Sequence, residues 1–380
     1  MIRKLLVSAS ALALMASPAF ANPGNSSDVY QENTGNVADV DQSLSIWGSQ
    51  SSVNQTGADN SASVVQSDDG SDVGSSPSNS STVDQSGDSN IASVTQDNSG
   101  SAGADDDANY STITQTGIAS SATVTQGGSG STSSVTQAGD TQSALVDQSG
   151  DGLNQSTIDQ DGSANSAILQ QGNTSGSESL ASSISQIGAN NLADVVQFGG
   201  DADSSVDQTG DDHLASVFQD ASGDVTSSIV QADLANSATV SQIGVHAHSI
   251  VDQSGTSQIA TVTQISSGWG ALSSTIMQVG DSNLADVLQA GDGPATSIID
   301  QADTLMSAFV NQDGTNLFSE VLQLVGDSNT AIVTQSGDSK TSYVSQDGSG
   351  HSATVTQTSG TAAVSFVTQF GVGNIANVTQ

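Results

Sequence analysis

The stretch STVDQSGDSNIASVTQ, residues 81–96, decides the fold. In its first part every second residue is Ser, Val or Gln, and in its last part every second residue is Asn, Ala, Val or Gln. A spacing of two is the period of a β-strand, in which alternate side chains point to the same face. Gly87 lies between the two parts and favours a tight turn, because glycine adopts positive φ without steric cost. The stretch therefore predicts two short strands joined by an arc.

The same pattern recurs fifteen times along the chain. In every unit the residue four positions before the first glutamine is Ser, and the residue two positions before it is Val or Ile. A second glutamine follows eleven positions later, except in the unit that starts at Gln323, which has one extra residue near Val325. Repeats of this length indicate a solenoid, since one unit is too small to bury a core alone. The first glutamines are Gln31, Gln55, Gln85, Gln115, Gln137, Gln160, Gln186, Gln208, Gln231, Gln253, Gln278, Gln301, Gln323, Gln346 and Gln369.

We interpret the units as the coils of an all-β, cross-β solenoid. Each strand would then have parallel neighbours about 4.8 Å away, contributed by the coils before and after it. The alternating Val and Ala are expected to face inward as a thin core, whose representatives are Val53, Ala62, Val64, Val83, Ala92, Val94, Ala376 and Val378.

The inward Gln and Asn columns are expected to form stacking ladders. In such a ladder each buried side-chain amide bonds its copy in the next coil, as in cross-β fibres. The representative ladder residues are Gln55, Asn60, Gln66, Gln85, Asn90, Gln96, Gln186, Asn191, Gln197, Gln278, Asn283, Gln289, Gln369, Asn374 and Gln380.

The N-terminus reads as a secretory signal peptide. A short basic start with Arg3 and Lys4 precedes an apolar run that ends in an A-x-A cleavage pattern at Ala21, and the run is too short to span a bilayer. The expected organisation is a signal peptide at 1–21, a short segment at 22–26 and the repeat solenoid at 27–380. Cleavage would change the formal net charge from −37 to −39, because it removes both basic residues.

Composition excludes several classes of function. Only three residues are Lys or Arg against forty Asp and Glu, so the chain lacks the cations needed to bind nucleic acid or an anionic membrane surface. No other segment is apolar enough for membrane insertion. Cysteine is absent, so a secreted chain must be stabilised without disulfides.

No catalytic, cofactor-binding or metal site stands out, and we expect the protein not to be an enzyme. His213 and His351 fall in the Asn column and are interpreted as substitutes there. His246 and His248 form an H-x-H pair that lacks a third metal ligand. The acidic arcs at 68–69 and 105–107 are interpreted as solvated loops, although carboxylate groups are also the ligands that Ca²⁺ prefers.

The string Q-x-G-x-x-N-x-A-x-V-x-Q, residues 85–96, closely resembles the curlin repeat of curli subunits, and the resemblance extends over 27–380. It implies an extracellular, curli-like amyloid fibre, a fimbria- or pilus-like appendage of a bacterium with an outer membrane. Such fibres serve cell adhesion, aggregation and the biofilm matrix. The implied partners are further copies of the chain, a nucleator subunit and an outer-membrane secretion pore.

The expected mechanism is templated, head-to-tail growth. Soluble solenoids carry polar caps, whereas these repeats are expected to have no terminal caps and to expose strand edges at both ends. Head-to-tail contacts do not close and so produce filaments. The alternative is a soluble or surface-anchored monomeric β-solenoid that acts as an adhesin or ligand-binding rod.

Overall fold

The computed structural model describes residues 24–45, 48–68, 79–98, 108–150, 152–173, 179–268, 270–358 and 360–380. These ranges contain strands only, and none of their residues forms a helix that could span a membrane. The proposed signal peptide lies outside them, as do residue 69 and residues 105–107 of the acidic arcs.

The strands are numbered β1 to β28 in chain order. They are Ser26–Glu32, Val37–Leu44, Gln50–Thr56, Ser61–Asp68, Ser80–Asp88, Ile91–Asn98, Tyr110–Ile118, Ser121–Gly127, Thr132–Asp140, Ser143–Ser149, Leu153–Ser163, Ser166–Asn173, Ser179–Ala189, Leu192–Gly199, Ala202–Asp211, Leu214–Ala221, Val225–Leu234, Ser237–Gly244, Ala247–Thr256, Ile259–Ser266, Leu272–Asp281, Leu284–Gly291, Ala295–Thr304, Ser307–Val325, Thr330–Ser349, Ser352–Gln357, Ala363–Val372 and Ile375–Thr379.

All the strand pairings are parallel, and up to β22 each strand pairs with the strand two places further along the chain. From β1 the odd strands stack on one side, and from β2 the even strands stack on the other. Strands β24 and β25 each run through an arc, so each provides the second strand of one coil and the first strand of the next. The molecule is therefore a parallel β-solenoid of fifteen coils, which confirms the fold expected from the repeat.

The register between coils follows the sequence columns. Gln55 lies opposite Gln85, and Val53 lies opposite Val83. The register shifts between Gln323 and Val325, where the sequence carries its extra residue. A bulge absorbs this residue, so the later coils keep the same columns.

The core is one continuous apolar file between the two stacks of strands. It is built from the Val or Ile of the first strands from Val53 onward and from the Ala and Val of the second strands, with Leu169 in place of Val in one coil. Val53, Ala62, Val64, Val83, Ala92 and Val94 are all buried in it. In the last coil, Ala376 and Val378 pack against the file but are only partly buried. A terminal coil has a neighbour on one side only, and this accounts for their exposure.

The side chain six residues before each first glutamine also points inward, and it changes from polar to apolar along the solenoid. In the N-terminal coils it is polar, with Ser49, Asn79, Asn109, Ser131 and Asn154 buried there. Further on it is apolar and forms two additional clusters, which contain Leu180, Ala202, Val225 and Ala247 in one and Leu272, Ala295 and Leu317 in the other.

Lys340 continues this inward column in the fourteenth coil. It is fully buried, and its Nζ donates a hydrogen bond to the carbonyl oxygen of Gly360 at 3.2 Å. Lysine is almost never fully buried unless it has partners. The repeat pattern alone did not indicate this position.

The arc within each coil contains two residues with positive φ. The first is usually glycine, for example Gly139 at 114°. The second lies two positions later in the left-handed region, where Thr141 and Leu305 both have φ of 54°. Left-handed backbone costs an L-residue about 1–2 kcal/mol. The arcs therefore carry local strain wherever the second position is neither glycine nor asparagine.

Replacing Leu305 by glycine is expected to stabilise the protein by about 0.5–1 kcal/mol, because glycine adopts this φ without the Cβ clash. The Leu305 side chain is 58% exposed, so little packing is lost. Urea unfolding followed by circular dichroism measures the change. Leu305→Ala is the control: it removes the same exposed side chain but keeps the strain, so equal stabilisation by both substitutions would contradict the strain argument.

Candidate functional site

Two glutamine ladders run the length of the solenoid. In the first ladder the Nε2 of each first glutamine donates to the Oε1 of the next, from Gln31 to Gln369, with N···O distances of 2.6–2.9 Å. The second ladder runs in the same way from Gln42 to Gln380. Neither ladder is interrupted at any coil.

Both ladders have a direction. From Gln55 in the first ladder and from Gln42 in the second, each Nε2 donates its other hydrogen to a main-chain carbonyl of the opposite stack; for example, Gln85 Nε2 donates to Ser61 O and Gln96 Nε2 to Ser80 O. A flipped amide would place its oxygen against that carbonyl, so the orientation is set by the network. All amide N–H groups therefore point toward the C-terminal end, and all amide oxygens point toward the N-terminal end.

The asparagine column is held differently from the amide ladder expected from the sequence. The Oδ1 of Asn60 accepts the main-chain N–H of Asn90, and its Nδ2 donates to the carbonyls of Thr56 and Gly87. Asn191 and Asn283 bond in the same way to the main chain of the following coil. The shorter Asn side chain stands beside arc carbonyls that the turn leaves unpaired, so it binds main chain rather than its copy.

The ladder ends are less buried than the middle. Gln369 is only 5% exposed, whereas Asn374 and Gln380 of the last coil are exposed. The Gln380 Nε2 donates to Val364 O at 3.1 Å, so its orientation is the one shared by the rest of the ladder.

His213 and His351 occupy the asparagine column. The Nδ1 of His213 accepts the N–H of Asn236, and its Nε2 donates to the carbonyl of Thr209, both at 3.2 Å. His351 makes the equivalent bonds to Asn374 and Asp347. An Nδ1 that accepts and an Nε2 that donates define a neutral imidazole. The ring thus replaces two of the three contacts that asparagine makes.

Stability is expected to fall in mild acid because of His213. Burial lowers the pKa of His213 below its usual 6.5, and this outweighs the opposing effects of the Thr209 hydrogen bond and of Asp211, Asp233 and Asp212. A lowered folded-state pKa means that the stabilisation is complete above about pH 6.5 and is lost as the pH falls toward the folded value.

Unfolding measured between about pH 7.5 and pH 5 tests this expectation. His213→Asn should lose less stability over that range than the wild type, since asparagine does not titrate and suits the column. His248→Asn, at an exposed position, is the control and should follow the wild type. Identical pH profiles for wild type and His213→Asn would contradict the assignment.

The invariant serine column is buried without hydrogen bonds at most coils. Among the described residues, no partner lies within reach of the Oγ of Ser51, Ser111, Ser133, Ser156, Ser182, Ser204, Ser227, Ser249, Ser274, Ser297 and Ser319. The serine side chain is small enough to let the two stacks of strands pack closely together at this position of each coil. The column therefore acts through its size and adds no third ladder.

The remaining histidines do not assemble a metal site. His246 Nδ1 lies 3.9 Å from the Asp224 carboxylate, and His248 Nδ1 lies 2.6 Å from Thr226 Oγ1. Across the described ranges, no group of three or more His, Asp or Glu side chains is arranged to hold a metal ion.

Within the paired strands, acidic residues are spaced so that they do not lie opposite one another in adjacent coils. Asp159 faces Thr136 and Ser185, and Asp207 faces Ser185 and Val230. The same holds in every strand pairing of the described residues, where no Asp or Glu lies opposite another. In-register stacking would otherwise bring like charges about 4.8 Å apart. The stacked strands can therefore carry many negative charges without placing two carboxylates directly opposite each other.

The two terminal coils differ in charge. The first coil carries Asp28, Glu32, Asp39 and Asp41, whereas residues 358–380 contain no Asp, Glu, Lys or Arg. The last coil instead exposes large apolar side chains, which are Val364, Phe366, Phe370, Val372 and Ile375. Inward residues of the first coil are exposed as well, including Val29 at 42%. Each end therefore presents an open strand edge within the described residues.

The ladders, the in-register coils and the parallel pairing define a β-solenoid repeat protein. The family model of the curlin associated repeat matches residues 183–210, 307–337 and 326–358. These matched segments are curlin-associated repeats, and the coils outside them continue the same columns, which supports a curlin-repeat protein. No curated protein matches the chain significantly. The repeat and the fold support a curli-like structural protein.

Proposed function

We propose that this protein is the subunit of an extracellular, curli-like amyloid fibre that grows by head-to-tail stacking of chains. The last coil of one molecule receives the first coil of the next, and the internal register continues across the junction. The observation that carries the proposal is the pair of directed glutamine ladders, because each reaches both end coils.

The ladder direction favours head-to-tail contact. The C-terminal coil presents amide N–H groups of Gln369 and Gln380, and the N-terminal coil presents amide oxygens of Gln31 and Gln42. Joining unlike ends pairs donors with acceptors, whereas joining like ends opposes two donors or two acceptors. A buried amide without its partner costs about 1–3 kcal/mol, so like ends are strongly disfavoured.

Charge placement supports the same junction. In the continued register Asp28 meets Phe366, Asp39 meets Asn377 and Asp41 meets Thr379. The absence of opposed acids that the paired strands show within the chain is then preserved between molecules. Two first coils placed together would instead bring the four carboxylates of one copy close to the four of the other.

The fibre would act in cell adhesion, aggregation and the biofilm matrix of a bacterium with an outer membrane, and the chain would be secreted by means of its N-terminal signal. Its main partner is a second copy of itself. A nucleator subunit and an outer-membrane pore complete the proposed system.

Thiol crosslinking tests the junction directly, because the chain has no cysteine. Tyr30→Cys with Thr368→Cys places both thiols in one outward column, about 4.8 Å apart at the junction. Oxidation should link most chains of the assembled protein into covalent polymers. The control, Tyr30→Cys with Thr379→Cys, puts the thiols on opposite faces and should not crosslink. Chains that stay monomeric would support the adhesin-rod alternative, and fibres that fail to crosslink would contradict this register.

A substitution that adds one charge without changing the size of the side chain tests the same contact, and the rate of fibre elongation is the measurement. Asn377→Asp adds a carboxylate opposite Asp39 of the next copy, so seeded elongation should slow at low salt and recover as salt screens the pair. Asn311→Asp is the control, because its neighbours in register are Leu288 and Thr334. Equal elongation rates for the two variants would count against head-to-tail contact.

A further inference from the structure

Lys340 lies where the pairing between neighbouring coils is interrupted. The arc before it, residues 336–339, has the same length as the arc of the previous coil, residues 313–316, and the strand register runs through both. The last arc, residues 358–362, has five residues against four. The strand register stops before this arc and resumes only where Ala363 lies opposite Lys340. Lys340 is therefore the position at which the last coil begins to pair.

The packing of the arc glycines shows the same interruption. A methyl group on Gly291 would overlap the carbonyl oxygen of Gly314, and one on Gly314 would overlap that of Gly337. Among the described residues, a methyl group on Gly337 would meet only the Cε of Lys340, at 3.7 Å. The lysine stem therefore lies where the backbone of the next arc would continue this column of glycines.

The ammonium group of Lys340 links the longer arc to the previous coil. The side chain is fully buried, and Nζ donates to the carbonyl oxygen of Gly360, in the middle of that arc, at 3.2 Å. Its partners in the strand register are Leu317 and Ala363, which are apolar. An ammonium group has three donors and no acceptor, so inside the solenoid it requires carbonyl oxygens. Residues 27–380 contain no other Lys or Arg, so this link is made once in the solenoid.

A register error in the last coil would reverse its two faces. Because side chains alternate along a strand, a shift by one residue would turn Gln369 outward and Phe370 inward. Gln369 would then lose its bond with Gln346. The longer arc supplies the spare residue that such a shift needs. In the shifted coil the Gly360 carbonyl would move by about 3.4 Å along the strand, and the buried ammonium group of Lys340 would lose this acceptor.

We propose that Lys340 fixes the register of the last coil and thereby positions the surface that receives the next chain. The first role concerns a single molecule, whereas the second rests on the proposed function.

Hydrogen exchange of the full-length, monomeric Lys340→Met protein tests the first role. Methionine keeps an unbranched stem and removes the ammonium group. Exchange in Ala363–Val372 and Ile375–Thr379 should become about tenfold faster, while exchange in the coils before Leu272 should stay as in the wild type. Leu317→Met is the matched control, because it places the same side chain in the same column one coil earlier, where the arcs are paired. It should leave exchange in the last coil unchanged.

Shortening the last arc provides a second test. Thr361 is exposed, and its deletion makes this arc as long as the one before it, so the strand register can continue through both. Combined with Lys340→Met, the deletion should restore most of the lost protection. The proposal is overturned if Lys340→Met leaves exchange in the last coil unchanged, if all coils lose protection equally, if Leu317→Met has the same effect, or if the deletion brings no recovery.

Seeded elongation tests the second role separately. At equal seed concentration, Lys340→Met seeds should be extended by wild-type monomer more slowly than wild-type or Leu317→Met seeds. Faster exchange with unchanged elongation would support the register role and contradict the receiving role of the last coil. A wild-type protein that forms no fibres would contradict the proposed function and the receiving role, while the exchange data would still decide whether Lys340 sets the register.

Discussion

Gly139→Ala is expected to destabilise the solenoid by more than about 3 kcal/mol and to block the proposed head-to-tail assembly. Gly139 has φ of 114°, a conformation that L side chains rarely adopt. A methyl group there would overlap the carbonyl oxygen of Gly162 and lie 3.0 Å from its carbonyl carbon. The obstacle is backbone of the next coil, which cannot move without breaking its own register.

Gly127→Ala is the matched control for this substitution. Its added methyl would meet nothing closer than the carbonyl oxygen of Gln148 at 4.0 Å, and its φ is not in the positive region. Urea unfolding of the monomer and seeded fibre growth measure both variants. A Gly139→Ala protein as stable as Gly127→Ala would show that the arcs do not stack as closely as described.

Gln231→Ala is expected to cost about 3–5 kcal/mol, concentrated in the coils on either side of it. Gln231 accepts from Gln208 at 2.9 Å and donates to Gln253 at 2.9 Å and to Leu214 O at 3.0 Å. Alanine leaves the facing groups of both glutamines without this partner in a buried site and also creates a cavity. Both ladder neighbours therefore lose a bond that water cannot easily replace.

Which coils lose stability in Gln231→Ala can be tested, as well as how much stability the protein loses. Hydrogen exchange should accelerate in the strands that contain Gln208, Gln231 and Gln253 and change little in remote coils, because repeat proteins gain stability from neighbouring units. Gln155→Ala is the control: Gln155 is exposed on the outer face, and its loss should change stability by less than about 0.5 kcal/mol. Uniform exchange along the chain, or an equal effect of Gln155→Ala, would argue against a structural ladder.

The sequence alone was sufficient to predict the number of coils, the inward and outward faces of the strands and the columns of equivalent residues. The period of two assigns inward and outward residues, and identical units can satisfy their strand edges only by stacking on one another. For that reason the burial of Val53 and Val83 and the bulge near Val325 could be anticipated. The polar-to-apolar change that begins at Leu180 was also readable in the sequence, six residues before each first glutamine, but it lies outside the repeated motif.

Tertiary structure decided how each polar side chain is bonded. Asn60 and Gln55 both end in a primary amide. Gln55 donates to the equivalent glutamine of the next coil, Gln85, whereas Asn60 donates to the main chain of an arc. The direction of the ladders, the neutral form of His213 and the ring contact between Tyr343 and Phe366 likewise depend on atoms in different coils. A repeat pattern states which residues are equivalent, whereas hydrogen bonds and ring contacts depend on distances of a few tenths of an ångström, and only the stacked coils set those distances.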